Sequence, residues 1–245
     1  MNIILLQPDE IPASGEVELT DHRALHLIKV LKVAVGDAVR IGVLDGLQGQ
    51  GEVIALDGRR AVTLRCRCEE EPPPAGFDVL LLAFARPKVL LRCLEHAAAL
   101  GFGKIVLFRS RRVEKSHLSS HAIQAPVIEA HVRRGLEQSR RTRRPEVHFV
   151  PRFRELCEAG LDQHVPIANR FAADADADEE AALSRVVAGP LSLVIGPEGG
   201  LVDHELEQLS LHGFRLVRAG RQPLRVETAV AYLTGQLRAA QARGT

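Results

Sequence analysis

The sequence predicts an α/β protein in two parts: a small β-barrel over residues 1–70 and a domain with a parallel sheet over residues 76–245. Three observations lead there. The stretch EEEPPPAG (Glu69–Gly76) packs three acids, three prolines and a glycine into a stiff, solvated connector. Ahead of it, short runs of alternating polarity are separated by Asp-Gly turns, as in antiparallel strands. Behind it, apolar runs alternate with helical stripes, the pattern of parallel strands joined by covering helices.

In the first part, VRIGVLDG (Val39–Gly46) ends in an Asp-Gly turn and GEVIAL (Gly51–Leu56) alternates. Asp57-Gly58 turns the chain into AVTLRCRC (Ala61–Cys68), which alternates again. A helix over ALHLIKVLKV (Ala24–Val33) places Leu27, Val30 and Leu31 on its apolar side. Arg23, His26, Lys29 and Lys32 fall on the other side as a basic face. A small barrel carrying one helix fits this order.

In the second part, FDVLLLAFA (Phe77–Ala85) is continuously apolar, as a strand buried on both faces must be. Pro87 opens a helix with an apolar stripe at Val89, Leu90, Leu94, Ala97 and Ala98, and Gly101 ends it. Strands follow at Lys104–Phe108, Val165–Ala168, Leu191–Gly196 and Phe214–Ala219. Helices are expected near Gln124–Gln138, Glu205–Leu211 and Val226–Ala240. The piece AADADADEEAA (Ala172–Ala182) reads as a solvated loop passing into a short helix.

Hydrophobic residues make up 46% of the 245, enough for a sizeable core. No run of eighteen apolar residues indicates a membrane span, and the start MNIILLQPDE lacks the features of a secretory signal. The cytoplasm is the expected compartment. The four cysteines form no C-x-x-C pair and read as free thiols. His22/His26 and His117/His121 have one-turn spacing but no third ligand nearby, so no metal is expected. Net charge is +1, yet Arg133, Arg134, Arg140, Arg141, Arg143 and Arg144 crowd twelve positions with Glu137 as their one acid. Aromatic residues are 4% of the chain, too few for a base-stacking platform.

The stretch IGPEGG (Ile195–Gly200) ends a predicted strand, where ligands bind in open parallel sheets. Gly196, Gly199 and Gly200 reach backbone angles closed to other residues and remove side chains from the ligand's path. The Gly-Lys-Ser/Thr ending of a phosphate loop is missing, and so is G-x-G-x-x-G. A second such loop, RAGRQPLRVETA (Arg218–Ala229), follows the next strand. The two loops either close on one ligand or serve as tight strand–helix connectors.

IGPEGG followed by LRVETA resembles the RsmE-type small-subunit rRNA methyltransferases of the SPOUT superfamily. HLIKVLKVAVGD (His26–Asp37), LEHAAALGFGKIVLF (Leu94–Phe108) and GLEQSRRTRRPEV (Gly135–Val147) resemble further segments of that family in the same order. The resemblance implies a PUA-like barrel followed by a trefoil-knotted SPOUT domain, working as a homodimer. It implies S-adenosylmethionine as cofactor and N3 of a uridine in 16S rRNA as the methyl acceptor. Its three cofactor loops map to Ala168–Arg170, to Gly196–Gly200 and to Val217–Thr228. The implied cofactor residues are Ala168, Asn169, Ile195, Gly196, Pro197, Glu198, Gly199, Gly200, Val217, Ala219, Gly220, Leu224, Arg225 and Thr228. Arg140 and Val202 stand where relatives usually carry glycine and a capping serine, and Val226 replaces a threonine. Asp203 is then the expected cap of the following helix.

Methyl transfer from a sulfonium is chiefly a problem of alignment. Uracil N3–H is a weak acid, so a base or a group that stabilises the developing anion matters. The candidates are Arg225 and Glu227. Arg225 either stabilises the anion, steers phosphate or forms a surface ion pair. Glu227 either takes the proton or serves as a carboxylate at a helix N-terminus. Glu198 either contacts the cofactor or braces its turn. For rRNA, the family context assigns phosphate contacts to Arg133, Arg134, Arg140, Arg141, Arg143 and Arg144, and to Arg23, His26, Lys29 and Lys32. Two rivals remain: an rRNA-binding protein without turnover, and a metabolic enzyme holding another nucleotide in the glycine loops.

Overall fold

The structure is a computed structural model that describes residues 1–58, 60–114, 121–177, 186–220 and 222–243. The chain divides into two compact units. The first comprises Met1–Pro74 together with Arg133–Arg144, and the second Ala75–Val132 with Pro145–Thr245.

The first unit is built on strands β1 (Ile4–Leu6), β2 (Glu16–Leu19), β3 (Ala38–Val43), β4 (Gln48–Asp57) and β5 (Ala61–Glu70). They form one curled sheet in the order β1-β3-β4-β5-β2, a half-barrel rather than a closed one. β1 runs parallel to β3 and the other pairs are antiparallel. Alternation in the sequence puts Val17, Leu19, Val39, Ile41, Val53, Val62 and Leu64 on the inner face, where they pack with Ile4, Leu6 and Leu27.

The helix expected over Ala24–Val33 is different. It runs as α1 (His22–His26), capped by Asp21, which accepts the Arg23 N–H at 2.9 Å, and continues as a π-type turn over Leu27–Leu31. The wider turn breaks the 3.6-residue period on which a continuous apolar stripe depends. Leu27 is therefore buried, while Val30 and Leu31 face solvent, Val30 at 63% exposure.

The arginine segment packs with this unit through its backbone. Asn2 N–H donates to Glu137 O at 2.8 Å, Asp45 N–H to Thr142 O at 2.9 Å, and Thr142 Oγ1 to Gly46 O at 2.8 Å. Arg140 has φ of 58°, the left-handed conformation that ends a helix. Arg141 N–H donates back to Leu136 O at 3.1 Å, as a helix-terminating turn requires. A glycine would meet this backbone demand without strain.

The second unit carries strands β6 (Val79–Ala83), β7 (Lys104–Phe108), β8 (Glu146–Val150), β9 (Asn169–Ala173), β10 (Leu191–Ile195) and β11 (Arg215–Val217). All pairs are parallel, in the order β11-β9-β10-β6-β7-β8. Its larger helices are α2 (Pro87–Leu100), α3 (Ala125–Ser139, whose last seven residues belong to the first unit), α6 (Asp203–Leu211) and α7 (Val226–Arg243). Short helices α4 (Phe153–Glu155) and α5 (Leu161–His164) are joined by a π-type turn. β6 is buried at every position, as its unbroken apolar run requires. Pro87 opens α2, and Gly101, at φ 79°, closes it.

Two strand assignments change. The strand expected at Val165–Ala168 lies instead at Asn169–Ala173. Its start is polar, so periodicity does not announce it: Asn169 and Arg170 are buried because loop carbonyls pair with them. Asn169 Nδ2 donates to Val187 O at 2.9 Å, and Arg170 donates to Val165 O, Pro166 O and His212 O. β8, an edge strand of mixed polarity, carries no apolar run that would reveal it. The loop expected from Ala172 begins only after Ala173, and the short helix expected to follow it falls outside the described residues.

Candidate active site

The carboxyl ends of β9, β10 and β11 open into a cleft of about 550 Å³. Its floor is the turn after β10. Gly200 N–H donates to Pro197 O at 2.8 Å, closing the turn, and Gly200 takes φ of 72°, which disfavours any residue with a Cβ. A Cβ on Gly196 would stand 3.0 Å from Leu201 N and 3.1 Å from Gly200 C, so bare backbone lets the turn fold back this tightly without pushing its neighbours aside.

The turn is braced from behind. Glu198 Oε1 accepts the Arg86 N–H at 3.0 Å, where α2 begins. The Arg112 guanidinium donates to Gly199 O and to Leu201 O. Helix α6 then starts at once. Val202, its N-cap, offers no side-chain bond, and the expected cap Asp203 is not the residue used. Glu205 supplies the closure instead: Oε2 accepts the Val202 N–H at 3.0 Å and Oε1 accepts the Arg111 N–H at 2.8 Å.

Of the cofactor residues that the resemblance implies, Ile195, Gly196, Pro197, Glu198, Gly199, Gly200, Ala219, Gly220 and Leu224 line this cleft. Ala168 and Asn169 do not. They lie at the amino end of β9, because that strand starts later than the apolar run before it suggests; the residues leaving its carboxyl end are Asp174, Ala175 and Asp176, and these line the cleft with Ala173. Val217 is buried as the last residue of β11, and Arg225 and Thr228 are exposed beside the lining residues Leu224 and Val226. Ala229 and Arg218 complete the wall. Among the described residues Arg218 Nε has no hydrogen-bond partner and is buried, a donor left over in the wall of the cleft.

Glu227 does not line the cleft. Only 7% exposed, it turns to α2, where Oε1 lies 3.4 Å from Arg92 Nη1 and Oε2 is buried without a partner among the described residues. His96 Nδ1 lies 3.2 Å from the Glu227 carbonyl oxygen. Burial, and after it the charges of Glu227 and Glu198, push the thiol of neighbouring Cys93 far up, so Cys93 stays protonated and inert.

The expected basic residues of the first unit divide into two sets. Arg23 is 6% exposed and holds the unit together: Nη2 meets Glu10 Oε1 at 2.5 Å and Asp21 Oδ2 at 2.9 Å, and Nη1 donates to Leu5 O at 2.8 Å. Burial works to lower its pKa, but the bonds to Glu10 and Asp21 outweigh that and raise it. Arg133 also donates to Leu5 O and pairs with Glu137 at 3.3 Å. These two serve the fold, because a buried guanidinium needs its donors filled. Arg144 pairs with Asp45 at 2.6 Å and Arg143 with Glu71 at 3.7 Å, both at the surface. Lys29, Lys32, Arg134 and Arg140 are exposed; His26 and Arg141 are half-buried. Among the described residues no cluster of acids, histidines or cysteines has the geometry of a metal site, and His117 lies outside them. Among them, too, no helix is long and apolar enough to cross a membrane.

A parallel sheet whose glycine-lined carboxyl edge opens on a polar and apolar cleft has the arrangement in which α/β proteins bind small ligands. The family model of the RNA methyltransferase domain matches residues 77–238, and the chain belongs to that family. It is 28% identical to Ribosomal RNA small subunit methyltransferase E of Treponema pallidum, across 94% of this chain and 87% of that protein. It is 24% identical to Ribosomal RNA small subunit methyltransferase E 1 of Borreliella burgdorferi, across 94% of each. Among solved structures it is similar to Ribosomal RNA small subunit methyltransferase E of Neisseria gonorrhoeae bound to S-adenosyl methionine. That match has a TM-score of 0.73 at 20% identity and covers 98% of both chains.

Proposed function

We propose that this RNA methyltransferase uses S-adenosylmethionine to methylate N3 of a uridine in small-subunit rRNA. The observation that carries the reading is the cradle Gly196–Gly200, a braced turn in which a Cβ at Gly196 would crowd the backbone, facing an open cleft at the sheet's carboxyl edge. The names of the relatives supply the substrate class. The residues present suit the cofactor: Ile195, Leu224 and Val226 offer apolar walls to a flat ring, and Arg218 Nε offers a buried donor. Asp174 and Asp176 offer acceptors to hydroxyl or ammonium groups.

Bound there, S-adenosylmethionine supplies an electrophilic methyl group. The chain's part is to hold the acceptor in line and to favour the uracil anion. Arg225, exposed between the lining residues Leu224 and Val226, offers a positive charge for that task at the cleft's rim. Glu227 acts as a positioning residue, fixing the start of α7 against α2. The protein works as a homodimer in the cytoplasm. Val226, Val230, Leu233 and Leu237 of α7 are buried in their own chain, so a partner would meet this helix at exposed residues such as Tyr232.

Calorimetric titration with S-adenosylmethionine, followed by mass spectrometry of small-subunit rRNA incubated with enzyme and cofactor, tests the reading. Saturable binding and one new 3-methyluridine are expected. Binding of rRNA with no cofactor uptake would leave an RNA-binding protein without turnover, and loss of both would remove the proposal.

A further inference from the structure

A second cavity, of about 760 Å³, lies in the same unit, lined in part by the start of α6, the helix that follows the Pro197–Leu201 turn. Its walls carry four arginines, Arg109, Arg111, Arg152 and Arg154, together with Ser110 and His204. We infer that this cavity is a seat for RNA phosphodiester groups, placing the strand that bears the target base at the neighbouring cleft. The inference rests on the proposed function for the identity of the polyanion.

Charge is the first support. The carboxylates in the wall are Glu158 and Glu205. Both oxygens of Glu205 are occupied by backbone N–H groups, and Glu158 is paired with Arg154 at 2.6 Å. Four guanidiniums therefore face two committed acids. The Arg109 and Arg111 side chains have no hydrogen-bond or ion-pair partner among the described residues. Arg152 and Arg154 pair with Glu155 and Glu158, but their side chains are 77% and 84% exposed, so water screens these pairs and a phosphate can replace them.

The second support is independent of charge. Ser110 is 2% exposed, lines the cavity, and its Oγ has no partner among the described residues. A buried hydroxyl left unpaired is uncommon and marks a place where a ligand oxygen completes the bonding. The third is position. The segment Arg109–Arg112 lines the cavity with three residues while its fourth, Arg112, holds Gly199 O in the floor of the cleft. Arginines spread along two loops of an open cavity suit an extended chain of phosphates better than one compact anion.

The test is binding of a fluorescent small-subunit rRNA fragment across a salt series, with the wild type, Arg109→Ala/Arg111→Ala, Arg111→Lys and Arg111→Glu. The double variant should weaken RNA binding at least tenfold. It should lower the slope of log affinity against log salt by about 0.7 for each phosphate left without its arginine. Arg111→Lys should keep most of both, and S-adenosylmethionine affinity should stay within about twofold. Arg111→Glu, at an exposed side chain, gives the same reading if circular dichroism shows the double variant unfolded. Wild-type affinity and slope in these variants would overturn the inference. So would pyrophosphate binding that needs these arginines while RNA binding does not, since the seat would then serve a small free phosphate. Failure of the wild type to methylate rRNA would instead count against the proposed function, because RNA affinity is read without turnover.

Discussion

Glu198 reaches across to Arg86: its Oε1 accepts the Arg86 backbone N–H at 3.0 Å and ties the glycine turn to the first residue of the α2 cap. The sequence alone leaves open whether Glu198 meets the ligand or braces the turn. In the structure Glu198 lines the cleft while its carboxylate holds that cap.

Glu198→Ala removes the bond and leaves the Arg86 N–H to water. The expected cost is about 1 kcal/mol of stability, and a loss of cofactor affinity larger than that single bond explains, because the turn loosens. Thermal unfolding and calorimetric titration measure the two separately. Unchanged cofactor affinity would show that the turn keeps its shape without the brace.

Arg140 occupies a left-handed backbone position at φ 58°. Arg140→Gly should stabilise the fold by about 1 kcal/mol, since glycine adopts this conformation without Cβ strain. Denaturant unfolding at constant m-value checks it. The same variant should bind rRNA with a slightly flatter salt dependence if the exposed side chain contacts phosphate.

Glu227→Gln separates positioning from proton transfer. With the carboxylate buried against Arg92 and away from the cleft, the amide should fold normally and slow single-turnover transfer less than tenfold. The pH dependence of that step should be unchanged. Disappearance of an ionisation from the profile would restore Glu227 as the base.

Glu10 and Asp21 predict an acid limit for the first unit. The bond from Arg23 holds the Glu10 carboxyl below its ordinary value against the opposing effect of burial. Burial likewise opposes, and Arg23 outweighs, at Asp21. A carboxyl whose pKa falls on folding adds stability above its unfolded value, and that contribution fades as pH drops through the folded value. Stability should therefore fall as pH decreases below about 4.5, and Arg23→Met should flatten the fall while lowering stability at pH 7. Chemical unfolding measured from pH 7 to pH 3 gives both results.

What the sequence determined by itself is what depends on neighbours in the chain. The unbroken apolar run of β6, the Pro87 and Gly101 bounds of α2, and the alternation of β4 and β5 each follow from local period and backbone chemistry. The Gly196–Gly200 turn was legible for the same reason: glycine density reports backbone demand wherever it occurs. The tertiary structure decided what depends on groups distant in the chain. Arg23 reads as part of a basic face until Glu10 and the Leu5 carbonyl are brought to it. Asn169 and Arg170 read as loop until distant carbonyls satisfy them and admit them to a buried strand. Glu227 differs from a cleft residue only by which way α7 is turned against α2. Arg109 and Arg152 are ordinary surface charges until two loops set them around one cavity. Charge and hydrogen bonding act through space, so their partners are fixed only when packing is.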